Sequence, residues 1–285
     1  MANNNISEYL QIFDKRIFFD VSSNGCGSNC IYCFTKNPGM PQELLSTEVI
    51  HELCTQIKKL RECSESIISL CPNTEPLKSN DSRLLVFQII QELSPYVKFI
   101  QISTKEYIPI DFLERLDYLA DKPRKIRISV SLPYLNFTDR IEPGAAPIRE
   151  RLQNFENIKR FPGISSILYL RPFNQQMISD RELYIDVIRK CQPDDICLGA
   201  EFVPKVNDDQ LCTFMYNNNL AVDIFKCANI DDIFSFAEYL RQKVKRKVFF
   251  SSVCNIANCS DYGCILKLYN YDKRYCLDCC IDHPC

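Results

Sequence analysis

The chain has 285 residues, 46% hydrophobic and 25% charged, which are globular values at a length able to bury a sizeable core. Its 34 basic and 36 acidic residues leave a net charge of −2, so there is no overall electrostatic footprint for nucleic acid or an anionic membrane, although a local basic groove needs only a few Lys and Arg. Seventeen Cys, no apolar leader after Met1 and no run of about twenty apolar residues point to a reduced, cytoplasmic protein whose Cys clusters hold metal rather than form disulfides. The two His, His51 on a helical stretch beside Glu52 and His283 among the terminal cysteines, are too few for most hydrolytic schemes.

Residues 1–15 read as a lead-in whose Tyr9, Leu10, Ile12 and Phe13 can pack against the body. A first strand over residues 16–23 leads through Asn24-Gly25 into the loop Cys26-Gly-Ser-Asn-Cys30-Ile-Tyr-Cys33. Three thiolates at this spacing can hold three irons of a cubic 4Fe–4S cluster, and the next cysteine, Cys54, is a helix away. One iron is thereby left open to a further ligand. A zinc loop completed by a fourth donor, or three unrelated core cysteines, are the alternatives.

Ser46 or Thr47 can cap a helix with Ile50, Leu53, Cys54, Ile57 and Leu60 on one face, where Cys54 reads as core. A short apolar strand spans 66–70, followed by a helix with Leu84, Phe87, Ile90 and Leu93 among its apolar positions. A third strand spans 96–103, and Asp111 with Glu114 forms a cap pair opening the helix of Phe112, Leu113, Leu116 and Leu119. A fourth strand spans 125–131 before a helix through Ile148, Leu152, Phe155 and Ile158. After a fifth strand, 165–170, Ser179 and Glu182 suggest a capping box ahead of Leu183, Val187 and Ile188, and a sixth strand spans 195–203. This alternation predicts an α/β fold with a parallel sheet and right-handed crossovers. Past residue 205 the rhythm loosens around Cys212 and Cys227; Asn229 caps a helix through Leu240, and 248–253 reads as a strand. From Cys254 onward seven Cys fall in the last 32 residues, a second module.

The Cys26/Cys30/Cys33 pattern, with Tyr32 just before the last Cys, resembles the radical S-adenosylmethionine superfamily. The resemblance implies a partial (β/α)6 TIM-like barrel over residues 1–205, a linking region over 206–253 and a Cys-rich module over 254–285. It implies a 4Fe–4S cluster whose open iron takes S-adenosylmethionine and an electron donor of flavodoxin or ferredoxin type. Reductive cleavage then gives methionine and a 5′-deoxyadenosyl radical that abstracts hydrogen from substrate.

Within that family, ligands gather at the carboxyl ends of the strands. Cys71-Pro-Asn-Thr74-Glu75 resembles the segment that meets the methionyl amine and ribose, and Thr104-Lys105 resembles a pair of the spore photoproduct lyase branch whose Lys approaches the cofactor. Ser129 is placed like that branch's cofactor-contacting Ser, and Glu142-Pro-Gly with Glu150-Arg151-Leu resembles a signature of the same branch. The resemblance therefore implies cofactor binding by Tyr32, Thr74, Glu75, Lys105, Ser129, Glu142 and Arg151. Taken singly, each also has a structural reading: a turn at Pro143-Gly144, a solvated face at Arg151, a cap at Thr74. Cys71 lies near the position of that branch's hydrogen-donating Cys, out of register with it; a strand-end core cysteine is its other reading.

In the tail, Cys259-x3-Gly263, a hairpin, and Cys276-x2-Cys279-x5-Cys285 resemble the SPASM/twitch extension that carries auxiliary iron–sulfur clusters. So short a segment needs metal for stability, with Cys259, Cys264, Cys276 and Cys279 the favoured ligands of one auxiliary 4Fe–4S cluster. A zinc knuckle is the alternative. The expected function is a radical enzyme acting on a peptide or small molecule; nucleic-acid repair or modification and a non-enzymatic metal scaffold are the other readings.

Overall fold

The computed structural model describes residues 9–13, 16–22, 25–33, 39–61, 63–199 and 230–250. The expected tail ligands Cys259, Cys264, Cys276 and Cys279, with Cys212 and Cys227, lie outside the described residues. The fold is mixed α/β, with eight strands whose hydrogen-bonded order follows the chain. Two compact units are present: Met1–Val130 with Phe137–Ser166, and Ser131–Asn136 with Ile167–Cys285.

In the first unit, β1 (Leu10–Phe13) and β2 (Arg16–Phe19) form an antiparallel hairpin. The residues expected to be a lead-in are thus partly a strand: Leu10 is buried at 4% exposure and pairs with Phe19, while Gln11 and Ile12, both exposed, pair with Phe18 and Ile17. β3 (Ile67–Leu70), β4 (Phe99–Thr104) and β5 (Ile126–Ser131) follow in parallel. Their register aligns Ile17, Ile68, Ile100 and Ile126 across the sheet, then Phe19, Leu70, Ile102 and Ile128. These rows make an apolar face buried on assembly with helices α1 (Thr47–Lys58), α2 (Asn80–Leu93), α3 (Ile110–Leu119) and α5 (Ile148–Ile158); α4 (Thr138–Ile141) is a single turn. The opposite rows are polar. Ser69, Gln101 and Arg127 are register neighbours, as are Ser103 and Ser129.

Helix starts divide between correct and corrected expectations. Ser46 caps α1 by accepting from Val49 N, and a Ser79/Ser82 capping box opens α2. The apolar face of α2 runs through Leu85, Val86, Ile89, Ile90 and Leu93, and Leu84 is 56% exposed instead of packed. The Asp111/Glu114 cap pair does not form: Pro109 holds the N-cap position and Asp111 lies inside the first turn of α3, where a carboxylate favours the helix dipole.

In the second unit, β6 (Ile164–Leu170), which begins in the first, pairs in parallel with β7 (Asp195–Leu198), and β7 with β8 (Val248–Phe249). The stretch expected as a strand outside the barrel therefore extends the parallel sheet. Ser179 closes α6 (Gln175–Ser179) instead of capping α7 (Arg181–Cys191), so the Ser179/Glu182 capping box is absent. α8 (Ile230–Val244) buries Phe236 against Phe173 and Tyr184, with ring centroids 5.3 and 6.1 Å apart. No helix among the described residues is long and apolar enough to cross a membrane.

Truncating Ile128, wholly buried in the apolar row, is expected to cost about 2–5 kcal/mol. Leu84→Ala should change stability by only about 0.5 kcal/mol. Urea unfolding of the two variants checks this contrast.

Candidate functional site

The three-cysteine loop lies beyond the carboxyl end of β2, with its backbone turned by three positive φ angles: 70° at Gly25, 72° at Gly27 and 47° at Asn29. Cys30 is buried, and Cys26 and Cys33 are partly exposed. Burial pushes the Cys30 thiol up to about 12; Lys105 pulls against that, while Glu142, Cys26 and Cys33 add to it. Burial likewise raises Cys26, with Glu75 adding to the shift. Ligation to a metal deprotonates such thiols outright. Among the described residues no three His, Cys, Asp or Glu side chains converge as a site for one ion. A zinc site needs its donors about 2.0–2.3 Å from a single centre. A cubane instead spreads its thiolates over separate irons, one thiol to each.

A second segment, after α4, clamps this loop. Ile31 N donates to Ile141 O at 3.0 Å and Gly144 N donates to Ser28 O at 3.0 Å. A Cβ on Gly144 would strike Gly27 O and stand 2.8 Å from Ser28 Cα, so only glycine permits this approach. Lys78 Nζ donates to Gly144 O and pairs with Glu106 at 2.8 Å.

Four of the seven expected cofactor residues meet at this clamp. Glu142, wholly buried, accepts from the Tyr32 hydroxyl and from Arg151 NH1 at 2.6 Å, with Lys105 Nζ 3.9 Å from it. Lys105 Nζ also lies 5.6 Å from the centre of the Tyr32 ring. Burial pulls the Lys105 ammonium down, but Cys30, Glu142 and Glu75 outweigh it, and the group stands above its ordinary value. Arg151 is not on a solvated helix face: it is fully buried and donates through Nε to Ala146 O at 2.7 Å.

The other three lie elsewhere. Glu75 joins β3 to β4, accepting from Thr104 Oγ1 at 2.5 Å, Lys105 N at 2.8 Å and Leu77 N at 3.2 Å. Burial and then Glu106 push its carboxyl up to about 7. Thr74 donates to Asp20 Oδ1 at 3.2 Å. Ser129 is wholly buried and accepts from Gln101 Nε2 at 3.3 Å, and Gln101 in turn accepts from Arg16 at 3.3 Å. Cys71 is buried with φ 51°, its thiol well above the ordinary value through burial and the neighbouring Asp20.

Sequence reasoning missed Asp20, Lys78, Glu106 and Asn154. Asn154 holds the loop after β4, accepting from Ile108 N and donating to Glu106 O, both at 2.9 Å. Asp20 had a visible signal, a carboxylate ending the apolar strand Ile17-Phe18-Phe19 directly before the cysteine loop. The others had none, since their partners are remote in the chain.

No protein-family model matches the chain, and neither does any curated protein. Solved structures do. A spore photoproduct lyase mutant with bound AdoMet and dinucleoside spore photoproduct aligns with a TM-score of 0.62 and 12% identity, over 82% of this chain and 76% of that one. Methylornithine synthase aligns at 0.52 and 13%, over 82% and 63%. A native anSMEcpe with bound AdoMet and a peptide aligns at 0.51 and 9%, over 81% and 62%. The chain thus has an α/β fold similar to the TIM-like barrels of radical S-adenosylmethionine enzymes.

Removing one partner of a wholly buried ion pair strands the other charge. Arg151→Ala is therefore expected to lower stability by about 3–5 kcal/mol in chemical denaturation. Asp20, raised from 3.8 to about 6 by burial, and Glu75, raised from 4.5 to about 7, hold their protons more tightly folded than unfolded. Their favourable contribution is complete below the unfolded values and is lost as pH rises through the folded ones. Unfolding free energy should fall by roughly 3 kcal/mol per group between about pH 4 and pH 7. Asp20→Asn and Glu75→Gln should each flatten part of that slope in a pH series of urea titrations.

Proposed function

We propose that this protein is a radical S-adenosylmethionine enzyme acting on a peptide or small molecule. The observation that carries the reading is the Cys26/Cys30/Cys33 loop, clamped by residues 141–144 beyond the strand ends of an α/β fold shared with AdoMet-bound structures. When bound, a 4Fe–4S cluster with an open iron supplies the electron that splits S-adenosylmethionine into methionine and a hydrogen-abstracting 5′-deoxyadenosyl radical.

The chain's own groups then have distinct tasks. Cys26, Cys30 and Cys33 are the thiolate ligands, and Lys105 places a cation beside Cys30, offsetting the negative charge that ligation concentrates there. Glu142 and Arg151 neutralise each other and orient Tyr32 and Lys105 toward the cofactor. Thr74, Glu75 and Ser129 are proposed cofactor contacts, and Cys71 a hydrogen donor to the substrate radical. Cys259, Cys264, Cys276 and Cys279 are proposed to hold an auxiliary 4Fe–4S cluster in the module 254–285, and a flavodoxin- or ferredoxin-type protein to deliver the electron.

A second reading, nucleic-acid repair or modification, draws on the dinucleoside spore photoproduct bound in one structural neighbour. The net charge of −2 weighs against it, and salt-dependent DNA or RNA binding separates the two.

Anaerobically reconstituted protein, reduced with dithionite, should convert S-adenosylmethionine to 5′-deoxyadenosine, measured by liquid chromatography. Cys26→Ala, Cys30→Ala and Cys33→Ala should each abolish the product. A wild-type loop carrying zinc, or holding a cluster yet giving no 5′-deoxyadenosine, would overturn the reading.

A further inference from the structure

Ser28 sits between the first two cysteines of the loop, bracketed by the positive φ angles of Gly27 and Asn29. It is 3% exposed, and its hydroxyl oxygen is buried with no hydrogen-bond partner among the described residues. Its main chain, by contrast, is tied down. The carbonyl accepts from Gly144 N at 3.0 Å and from the Cys30 thiol at 4.0 Å. Gly144 packs so closely that a Cβ there would stand 2.8 Å from Ser28 Cα. The backbone that carries the hydroxyl is therefore fixed by the clamp.

A buried hydroxyl without a partner is costly, and alanine would fill nearly the same space without that cost. Charge on Cys26 supplies the missing acceptor. The groups that favour its thiolate are led by the Ser28 hydroxyl and then the Ser28 backbone N–H, ahead of Lys105, while burial and Glu75 oppose. At Cys30 the order differs, and Lys105 leads. The loop thus meets two thiolates by different means: a cation beside Cys30 and a pair of local donors on Cys26. A neutral thiol asks little of those donors; a metal-bound sulfur, deprotonated outright, accepts from both.

We propose that the Ser28 hydroxyl is a donor reserved for the iron-bound sulfur of Cys26, through which Ser28 sets how readily the loop's 4Fe–4S cluster takes up an electron; this rests on the functional reading above. Ser28 is a positioning residue in that role, since it touches the ligand and not the substrate. One electron from the flavodoxin- or ferredoxin-type donor adds one negative charge to the cluster and its thiolates, and in that step no bond forms or breaks. A hydrogen bond to the sulfur stabilises the more negative, reduced state further than the oxidised one, and so raises the potential.

The test is an anaerobic redox titration followed by EPR, without S-adenosylmethionine, on reconstituted wild type, Ser28→Ala and Ser28→Thr. The loop's signal is the one missing from Cys30→Ala, which separates it from any cluster in the tail. Ser28→Ala should lower the potential, making the reduced-to-oxidised ratio about three- to tenfold smaller at a fixed solution potential. For a one-electron couple that is about 30–60 mV. Ser28→Thr keeps the hydroxyl and should stay within about twofold of wild type.

Equal potentials in wild type and Ser28→Ala overturn the proposal. So does an equal shift in both variants, which would make packing, not hydrogen bonding, the cause. Ser28→Gly replaces the alanine variant should that one assemble no cluster; if neither does while wild type does, the hydroxyl serves assembly and the tuning role is overturned. A wild type that holds the loop cluster yet makes no 5′-deoxyadenosine sinks the functional reading and leaves the comparison of potentials to decide the role of Ser28. A wild type with no cluster at the loop overturns both.

Discussion

The ion pair between Arg151 and Glu142, with both side chains wholly out of water and 2.6 Å between them, is the constraint on which the site depends. Neither charge could be buried alone, so helix α5 and the segment after α4 must arrive together. Once they do, Glu142 also receives the Tyr32 hydroxyl and stands beside Lys105, bringing the end of the cysteine loop and the end of β4 to one point. The same segment, through Gly144 and Ile141, makes backbone hydrogen bonds to the loop itself. A polar network of this kind is worth having only if its members are satisfied, and here each carboxylate oxygen has a donor.

The sheet of the first unit supplies the second ordering principle. Parallel strands covered by helices usually read as continuous apolar runs, yet these carry Arg16, Ser69, Gln101, Arg127 and Ser129 on one face. In-register pairing turns that alternation into a polar lane running across the strands, in which Arg16 donates to both Ser69 and Gln101 and Gln101 donates to Ser129. The apolar lane on the other face anchors the helices.

Two buried carboxyl groups bracket the turn between β3 and α2. Asp20 holds Asn73 and Thr74 to the end of β2, and Glu75 holds the far side of the turn to β4. Both have raised pKa values because burial outweighs the hydrogen bonds they accept. Carboxyl groups perturbed in this way are a common pattern at functional sites.

Much of this was legible in the linear chain. Short apolar stretches alternating with helical patterns set β2 through β7, helical periodicity set α1, α3 and α8, and the spacing of Cys26, Cys30 and Cys33 placed the cysteine loop, because each is a property of a few neighbouring residues. Caps were less secure: Asp111 and Ser179 carry the chemistry of a helix start, but Pro109 and the short α6 changed where the helices begin. Only tertiary structure paired Arg151 with Glu142, removed Leu84 from the core and gave Asp20 to Asn73 and Thr74. Those outcomes depend on which strands lie side by side and how far a buried charge must reach for a partner, and local sequence does not encode either.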